Sequence, residues 1–313
     1  MNFLLSFINS LPGAFGQGLA WGIMAIGGYI TYRILDIADL TVDGSLATGG
    51  AVAAICISLG MNPWLAVLIA ILAGMAAGLA TGIFHTMCGI PAILSGILTQ
   101  LALYSLNLRI MAIGSDANTK ATVALSVDNQ ELLLSSRYVR QLGLNNPILL
   151  LLAVVIVLII GLYWFFGTEL GCSLRATGAN QNMARAQGIN TDSGKVLALV
   201  LSNGLVALCG ALLAQYQGSA TVDMGRGAIV IGLAAVIIGE VVFKKFVNFA
   251  AKMVAVILGA IIYYVVITLV LRLGLESTDL KLLTALVVAA FLTVPYLTGK
   301  RHAKIKKAGA AHA

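Results

Sequence analysis

Pro147-Ile-Leu-Leu-Leu-Leu-Ala-Val-Val-Ile-Val-Leu-Ile-Ile-Gly-Leu-Tyr-Trp-Phe-Phe166 carries no charge from end to end. A helix of about 20 such residues, rising about 1.5 Å at each, spans a hydrocarbon core of about 30 Å. The opening proline suits the first helical position, where its missing N–H would have had no partner. The closing cluster Tyr163, Trp164, Phe165 and Phe166 suits the membrane–water boundary, where an aromatic ring can keep one edge wet. This stretch reads as a membrane-crossing helix.

The rest of the chain repeats the pattern. Of 313 residues, 60% are apolar and 10% charged, where a soluble domain carries about 25% charge. That excludes a soluble monomer. Between Asp43 and Arg109 there is no Asp, Glu, Lys or Arg, enough chain for three crossings punctuated by Gly60-Met61-Asn62-Pro63 and Cys88-Gly89-Ile90-Pro91. Uncharged runs place helices near 12–32, 45–60, 62–84, 90–107, 147–166, 196–216, 227–243, 253–271 and 281–298. The expected fold is an all-α polytopic membrane protein of about nine (8–10) membrane helices. Residues 1–298 would form a single transmembrane domain, with halves at about 10–110 and 195–298, an external loop at 108–146, a cytoplasmic loop at 167–195 and a basic tail at 299–313.

The net charge of +7 sits in short loop runs, not on a folded surface, which argues against a nucleic-acid partner. It reports orientation instead. With the tail Lys300, Arg301, Lys304, Lys306 and Lys307 inside, Arg33, Arg175, Arg185, Lys195, Lys244, Lys245 and Lys252 join it. Arg109, Lys120, Arg137, Arg140, Arg226, Arg272 and Lys281 fall outside, so the positive-inside rule makes the C-terminus cytoplasmic. Met1 to Gly18 has no positive charge ahead of its apolar run, so no cleavable signal is expected, and the first helix would target itself.

A weak internal repeat relates the two halves. Thr41-Val42-Asp43-Gly44 opens the second helix and Thr221-Val222-Asp223-Met224-Gly225 opens the seventh, pointing oppositely on this topology. Both helices are short, at about 24–26 Å against about 30 Å. Short, glycine-led, discontinuous helices at matching places in inverted halves are the expected sign of a transport pathway near the midplane. Asp36, Asp39, Asp43, Asp223 and Arg226 should face water or protein, because a charge facing lipid is costly. Asp43 and Asp223 are the preferred pathway candidates, together with Asp39, Thr41, Ser45 and Thr221 around them. An aspartate at a helix start can equally cap its N–H groups, and both readings stand. Glu240 lies four residues before Lys244, the spacing of a helix-end ion pair.

Enzyme signatures are missing from the sequence. There is no Gly-x-Ser-x-Gly elbow, no His-Glu-x-x-His and no Walker A sequence, so an active transporter would need an ion gradient or a separate ATPase. No cofactor is implied. Cys56, Cys88, Cys172 and Cys209 are scattered and read as buried small residues, and His85, His302 and His312 lack partners at metal-ligand spacing. His85 is expected in a loop or at the membrane interface. Gly74, Gly78 and Gly82 share one helix face and should let a neighbouring helix come close.

The 167–195 loop reads as folded. Asn180 is a good N-cap, Gln181 to Gln187 has the length of two helical turns, Gly188 is placed to end them left-handed, and Thr191, Asp192 and Ser193 cap the next helix. Such a rigid helix, with Met183 and Ile189 exposed, suits insertion into a partner's groove.

Asp39-Leu-Thr-Val-Asp-Gly-Ser45, Ser105-Leu-Asn-Leu-Arg-Ile-Met111 and above all Arg175-Ala-Thr-Gly-Ala-Asn-Gln-Asn-Met-Ala-Arg-Ala-Gln-Gly-Ile-Asn190 resemble the membrane permease of bacterial ABC importers. The branch is the one that includes the ribose and branched-chain amino-acid permeases, and the likeness to its tryptophan and tyrosine members is strongest. The resemblance covers essentially the whole chain. It implies a multi-pass protein of the bacterial plasma membrane, with a second permease copy forming a homodimer, an ATP-binding cassette ATPase subunit and an extracytoplasmic substrate-binding protein. It also implies a coupling helix that contacts the ATPase through Arg175, Gly178, Asn180, Met183, Ala184, Arg185, Gly188 and Ile189. The implied cargo is an amino acid, with a sugar or nucleoside as competitor. An ion-coupled secondary transporter would explain the repeat and the acids but not a structured cytoplasmic helix, and a membrane scaffold would explain the glycines but not the paired short helices.

Overall fold

A computed structural model describes residues 2–115, 117–125, 131–139, 146–244 and 248–272, with isolated helical positions between 282 and 293. Ten helices occur among these residues: α1 (Asn2–Tyr29), α2 (Thr41–Ser58), α3 (Pro63–Thr86), α4 (Ala92–Ile110), α5 (Pro147–Gly167), α6 (Glu169–Ala179), α7 (Gln181–Ala186), α8 (Thr191–Gln217), α9 (Ala228–Val242) and α10 (Phe249–Arg272). Strands β1 (Thr122–Ala124) and β2 (Ser219–Thr221) pair antiparallel, with Val123 opposite Ala220. Local chemistry sets the boundaries. Asn62 and Asn146 each precede a proline at the first helical position, and each side chain accepts the N–H two residues on, at 2.9 Å from Trp64 and 3.0 Å from Ile148. At its far end α8 stops at Gly218, whose φ of 73° few other residues adopt without strain.

The packing is that of a membrane bundle. Helices α2 and α8 and the second half of α1 are well enclosed, and α8 lies against α1, α2 and α3. Small residues permit this: a Cβ at Gly78 would fall on the Leu199 carbonyl, and Gly82 faces Val196 as Gly74 faces Asn203 and Ala207. Helix α5 buries only Pro147, Leu151, Val155, Leu162 and Phe166, and Leu149, Leu152, Ile156, Val157 and Ile160 point outward. Leu65, Leu68 and Leu72 of α3 and Leu94 and Leu98 of α4 are likewise exposed, far more apolar surface than water tolerates on a monomer, but natural in lipid.

Seven helices among the described residues are long and apolar enough to cross a membrane: Thr41–Ser58, Pro63–Thr86, Ala92–Ile110, Pro147–Gly167, Thr191–Gln217, Val222–Val242 and Phe249–Arg272. The expectation of about nine is not reached among the described residues. The first span begins earlier than expected, runs through Pro12, and passes into a π-helical turn at Ile30–Ile34, and it is not among the seven. The span expected at 281–298 and the tail at 299–313 lie largely or wholly outside the described residues, as do 126–130 and 140–145 of the 108–146 loop.

Other expectations change with the geometry. Helix α9 ends at Val242, so Lys244 is past the last turn, and Glu240 pairs instead with Arg33 at 2.9 Å. The cap of α8 is Asn190, which accepts the N–H groups of Asp192 and Ser193 at 3.1 and 3.2 Å, and Thr191 is already helical. Only Cys209 is buried, and Cys88 and Cys172 are exposed. His85 stands in the last turn of α3, its Nδ1 2.9 Å from the Ile90 carbonyl, closing the turn into α4. Asp36, exposed at φ 56°, adopts the left-handed conformation that aspartate tolerates better than most side chains.

Candidate translocation site

Helices α2 and α9 begin at the same place. Asp43, in the first turn of α2, accepts the backbone N–H of Gly227 with one carboxylate oxygen and that of Ile229 with the other, each at 2.9 Å. The acid thus satisfies two of the unpaired donors at the start of α9, whose positive end favours a carboxylate. The start of α2 is served by Asp39, which accepts the N–H of Thr41 at 2.9 Å. The short 3-10 turn Val222–Gly225 can approach only because Gly225 has no side chain, since a Cβ there would overlap the Asp43 carbonyl. From this junction the helices diverge. The second half of α2 (Ala51, Ala54, Ile55, Ile57) packs with Val123, Leu125 and Ala220 around the strand pair, while the last turn of α9 reaches Arg33 through Glu240.

Beside the junction is a cavity of about 240 Å³ lined by Asp43, Gly44 and Ala47 of α2, Gln100, Leu101, Tyr104 and Asn107 of α4, and Val222, Asp223 and Arg226. Asp43 and Asp223 therefore share one hollow. Asp223 and Arg226 pair at 2.8 Å, both side chains more than half exposed. Asn107 is the opposite case, fully buried, with neither amide atom hydrogen-bonded among the described residues.

The other proposed pathway residues lie elsewhere. Asp39 is buried, and its second oxygen accepts from the Asn203 Nδ2 at 2.7 Å; Ser45 donates to the Asn203 Oδ1 at 2.6 Å, so one α8 amide joins the loop before α2 to α2 itself. Thr41 meets Thr81 of α3 at 2.7 Å, and Thr81 donates to Thr99 of α4 at 2.8 Å, a buried hydroxyl chain tying three helices together. Thr221 lies opposite Thr122 in the strand pair. None of these four lines the cavity. Sequence reasoning missed Asn203, Thr81 and Thr99, marked only by their polarity within apolar runs, and touched Asn107 only as part of the 105–111 stretch that carries the family resemblance.

At the end of the bundle where α9 stops, the 167–195 segment holds two helices where the sequence suggested one. Thr168 caps α6 by accepting the Gly171 N–H at 3.4 Å. Arg175 of α6 donates to the Phe166 carbonyl and stacks over Phe166 and Phe249, 5.8 and 5.2 Å from the ring centroids. Gly178 allows α6 onto the π-helical turn, because a Cβ would overlap the Ile34 carbonyl. Asn180 then caps α7, accepting the Met183 N–H at 3.1 Å, and Gly188 ends it at φ 80°. Met183 is exposed, Ala184 is buried, and Ile189 is half-buried rather than exposed, held by its N–H on the Ala184 carbonyl. Arg185 fastens α7 to α8, donating to the Thr191 hydroxyl at 2.7 Å and to Asp192 at 3.1 Å.

The family model described as the permease component of branched-chain amino acid transport systems matches residues 11–293. A tyrosine transport system permease protein of Clostridioides difficile (strain R20291) is 43% identical over 294 residues, covering 94% of this chain and 92% of the relative. A ribose import permease protein of Escherichia coli (strain K12) is 27% identical over 255 residues, covering 82% of this chain and 75% of the relative. Among solved structures, one described as an inward-facing metal-chelate type ABC transporter superposes with a TM-score of 0.51 at 18% identity, covering 92% of this chain and 86% of the other, a likeness of fold. The family match spans the whole bundle, from α1 past α10, and the chain belongs to the branched-chain amino acid transport system permease component family.

Proposed function

We propose that this chain is the transmembrane permease subunit of an ATP-driven ABC importer, passing an amino acid, aromatic ones included, from an external binding protein to the cytoplasm. The near-full-length identity to a tyrosine transport permease carries this reading. In it, residues 1–298 work as one permease domain of the bacterial plasma membrane, two copies pair as a homodimer, and the C-terminus is cytoplasmic. The chain has no Walker A sequence, so hydrolysis belongs to a separate ATPase that grips α7. Asp43 and Asp223 line the pathway, while Asp39, Thr41, Ser45 and Thr221 brace the helices around it.

Labelled tyrosine uptake by cells expressing the permease with its ATPase and receptor tests the proposal. Uptake should vanish when the Walker lysine of the ATPase is replaced and should survive a protonophore in ATP-replete vesicles. The reverse pattern would mean an ion-coupled carrier. The likeness to a ribose import permease favours a sugar as the second reading; competition by ribose but not by amino acids would establish it.

A further inference from the structure

Asn107 is buried, and neither its Oδ1 nor its Nδ2 has a partner among the described residues, yet it lines the cavity beside Asp43 and Asp223. An amide left unpaired in a protein interior destabilises the fold, so a group that completes its bonds gains more than the same group would at a wet surface. The same cavity is lined by charges of both signs: the Asp43 carboxylate, held by α9, and the more exposed Asp223–Arg226 pair. Leu101 and Tyr104 add an apolar wall. At about 240 Å³ the hollow is smaller than the roughly 300 Å³ at which ligand pockets begin, so it takes one small solute.

We infer that this cavity holds the α-ammonium and α-carboxylate groups of a free amino acid, with Asn107 bridging the two. The inference rests on the amino-acid import reading above. The ammonium donates to Asp43 and Asp223, and to the Asn107 carbonyl oxygen; the carboxylate accepts from Arg226 and from the Asn107 amide nitrogen. A zwitterion brings both signs at once, its cation to the Asp43 carboxylate and its anion to Arg226. A sugar's neutral hydroxyls can bond the amide but bring no cation to Asp43 and no anion to Arg226. The solute's side chain lies against Tyr104 and Leu101.

The test is equilibrium binding of labelled L-tyrosine to the purified chain in lipid nanodiscs, with competitors that each lack one feature. Tyramine lacks the carboxylate and deaminotyrosine lacks the ammonium; each should compete about tenfold less well than L-tyrosine or worse, and ribose should not compete. Asn107→Leu should reduce L-tyrosine affinity about tenfold while leaving the unfolding temperature equal or higher, because it removes an unpaired buried amide. Should that variant fail to fold, Arg226→Gln at the open side decides, by bringing L-tyrosine and tyramine to equal affinity. Absence of L-tyrosine binding, equal competition by the three tyrosine-like probes, or unchanged affinity in the folded variant overturns the inference. The importer reading fails separately: uptake independent of the ATPase defeats it while leaving head-group selectivity in place, and ATP-driven uptake with no such selectivity defeats only the inference.

Discussion

The carboxylate of Asp43 accepts the backbone N–H of Gly227 at 2.9 Å across 184 positions of sequence, so an acid in the first turn of one helix caps the start of another in the opposite half of the chain. With Ile229 bonded to its other oxygen, Asp43 uses both acceptors on α9. The interaction fixes where the two short helices meet, and so fixes one wall of the cavity. Asp43→Ala should leave two N–H groups unpaired and destabilise the protein by about 1–3 kcal/mol. Asp43→Asn keeps one accepting oxygen and turns a donor toward the other N–H, so its loss should be intermediate. Thermal unfolding in nanodiscs should rank wild type above Asn above Ala, and equal stability of all three would remove the capping role.

That bond marks the boundary of what sequence pattern could reveal. Long uncharged runs expose most spans, because lipid imposes the same requirement on every residue of a crossing helix. Helix α6 is hidden by the opposite circumstance: Glu169–Ala179 is short and amphipathic, burying Gly171, Leu174 and Thr177 at a spacing that needs the neighbouring π-helical turn and α8 to make sense. Asp43 is legible as an acid at a helix start, but the helix it serves comes from folding. Asn107 and Asn203 are single amides in apolar stretches, and what separates them is the partner. Asn203 has Asp39 and Ser45 more than 150 positions away, and Asn107 has none among the described residues.

The Asn203 amide should be the most sensitive polar position in the bundle. Asn203→Leu strands a buried carboxylate and the Ser45 hydroxyl together, which on the scale of broken buried charge contacts costs about 3–5 kcal/mol. Thr81→Val keeps shape and breaks only the Thr41–Thr81–Thr99 chain, costing about 1–3 kcal/mol. Expression and unfolding temperature should both fall further for the first variant. A larger loss in Thr81→Val would shift the weight of the core to the hydroxyl chain.

Orientation can be read from native thiols. Gly82 near the end of α3 packs on Val196 near the start of α8, and α6 packs on α8, so Cys88 and Cys172 lie at one end of the bundle and both are exposed. If that end is cytoplasmic, an impermeant maleimide should leave both unlabelled in intact cells and label both in inside-out vesicles. On a cysteine-free background, Ala117→Cys, exposed beyond α4, should behave in the reverse way to Ser193→Cys. Labelling of Cys88 and Cys172 from outside would invert the topology.

Helix α7 is tied at both ends, so in the proposed importer it would act as a lever rather than a tether. Upstream, α6 is clamped by Arg175 between Phe166 and Phe249; downstream, Arg185 holds Thr191 and Asp192 in the first turn of α8. A push on the exposed Met183 therefore reaches α8, the helix carrying Asn203 against α2. If the ATPase grips α7 as proposed, Met183→Asp should abolish its recovery in pull-downs from detergent, since a charge replaces the exposed apolar side chain. Arg185→Ala should act differently, because it cuts the link to α8 while leaving Met183 in place: ATPase recovery stays near wild type and uptake falls. Ala186→Gly, on the exposed side of α7, should weaken both by loosening the helix at about 1 kcal/mol, whereas Ala184 is buried and its replacement would confuse packing with helix stability. Normal uptake in Arg185→Ala would show that force enters the bundle by another route. Normal ATPase recovery in Met183→Asp would take α7 out of the interface.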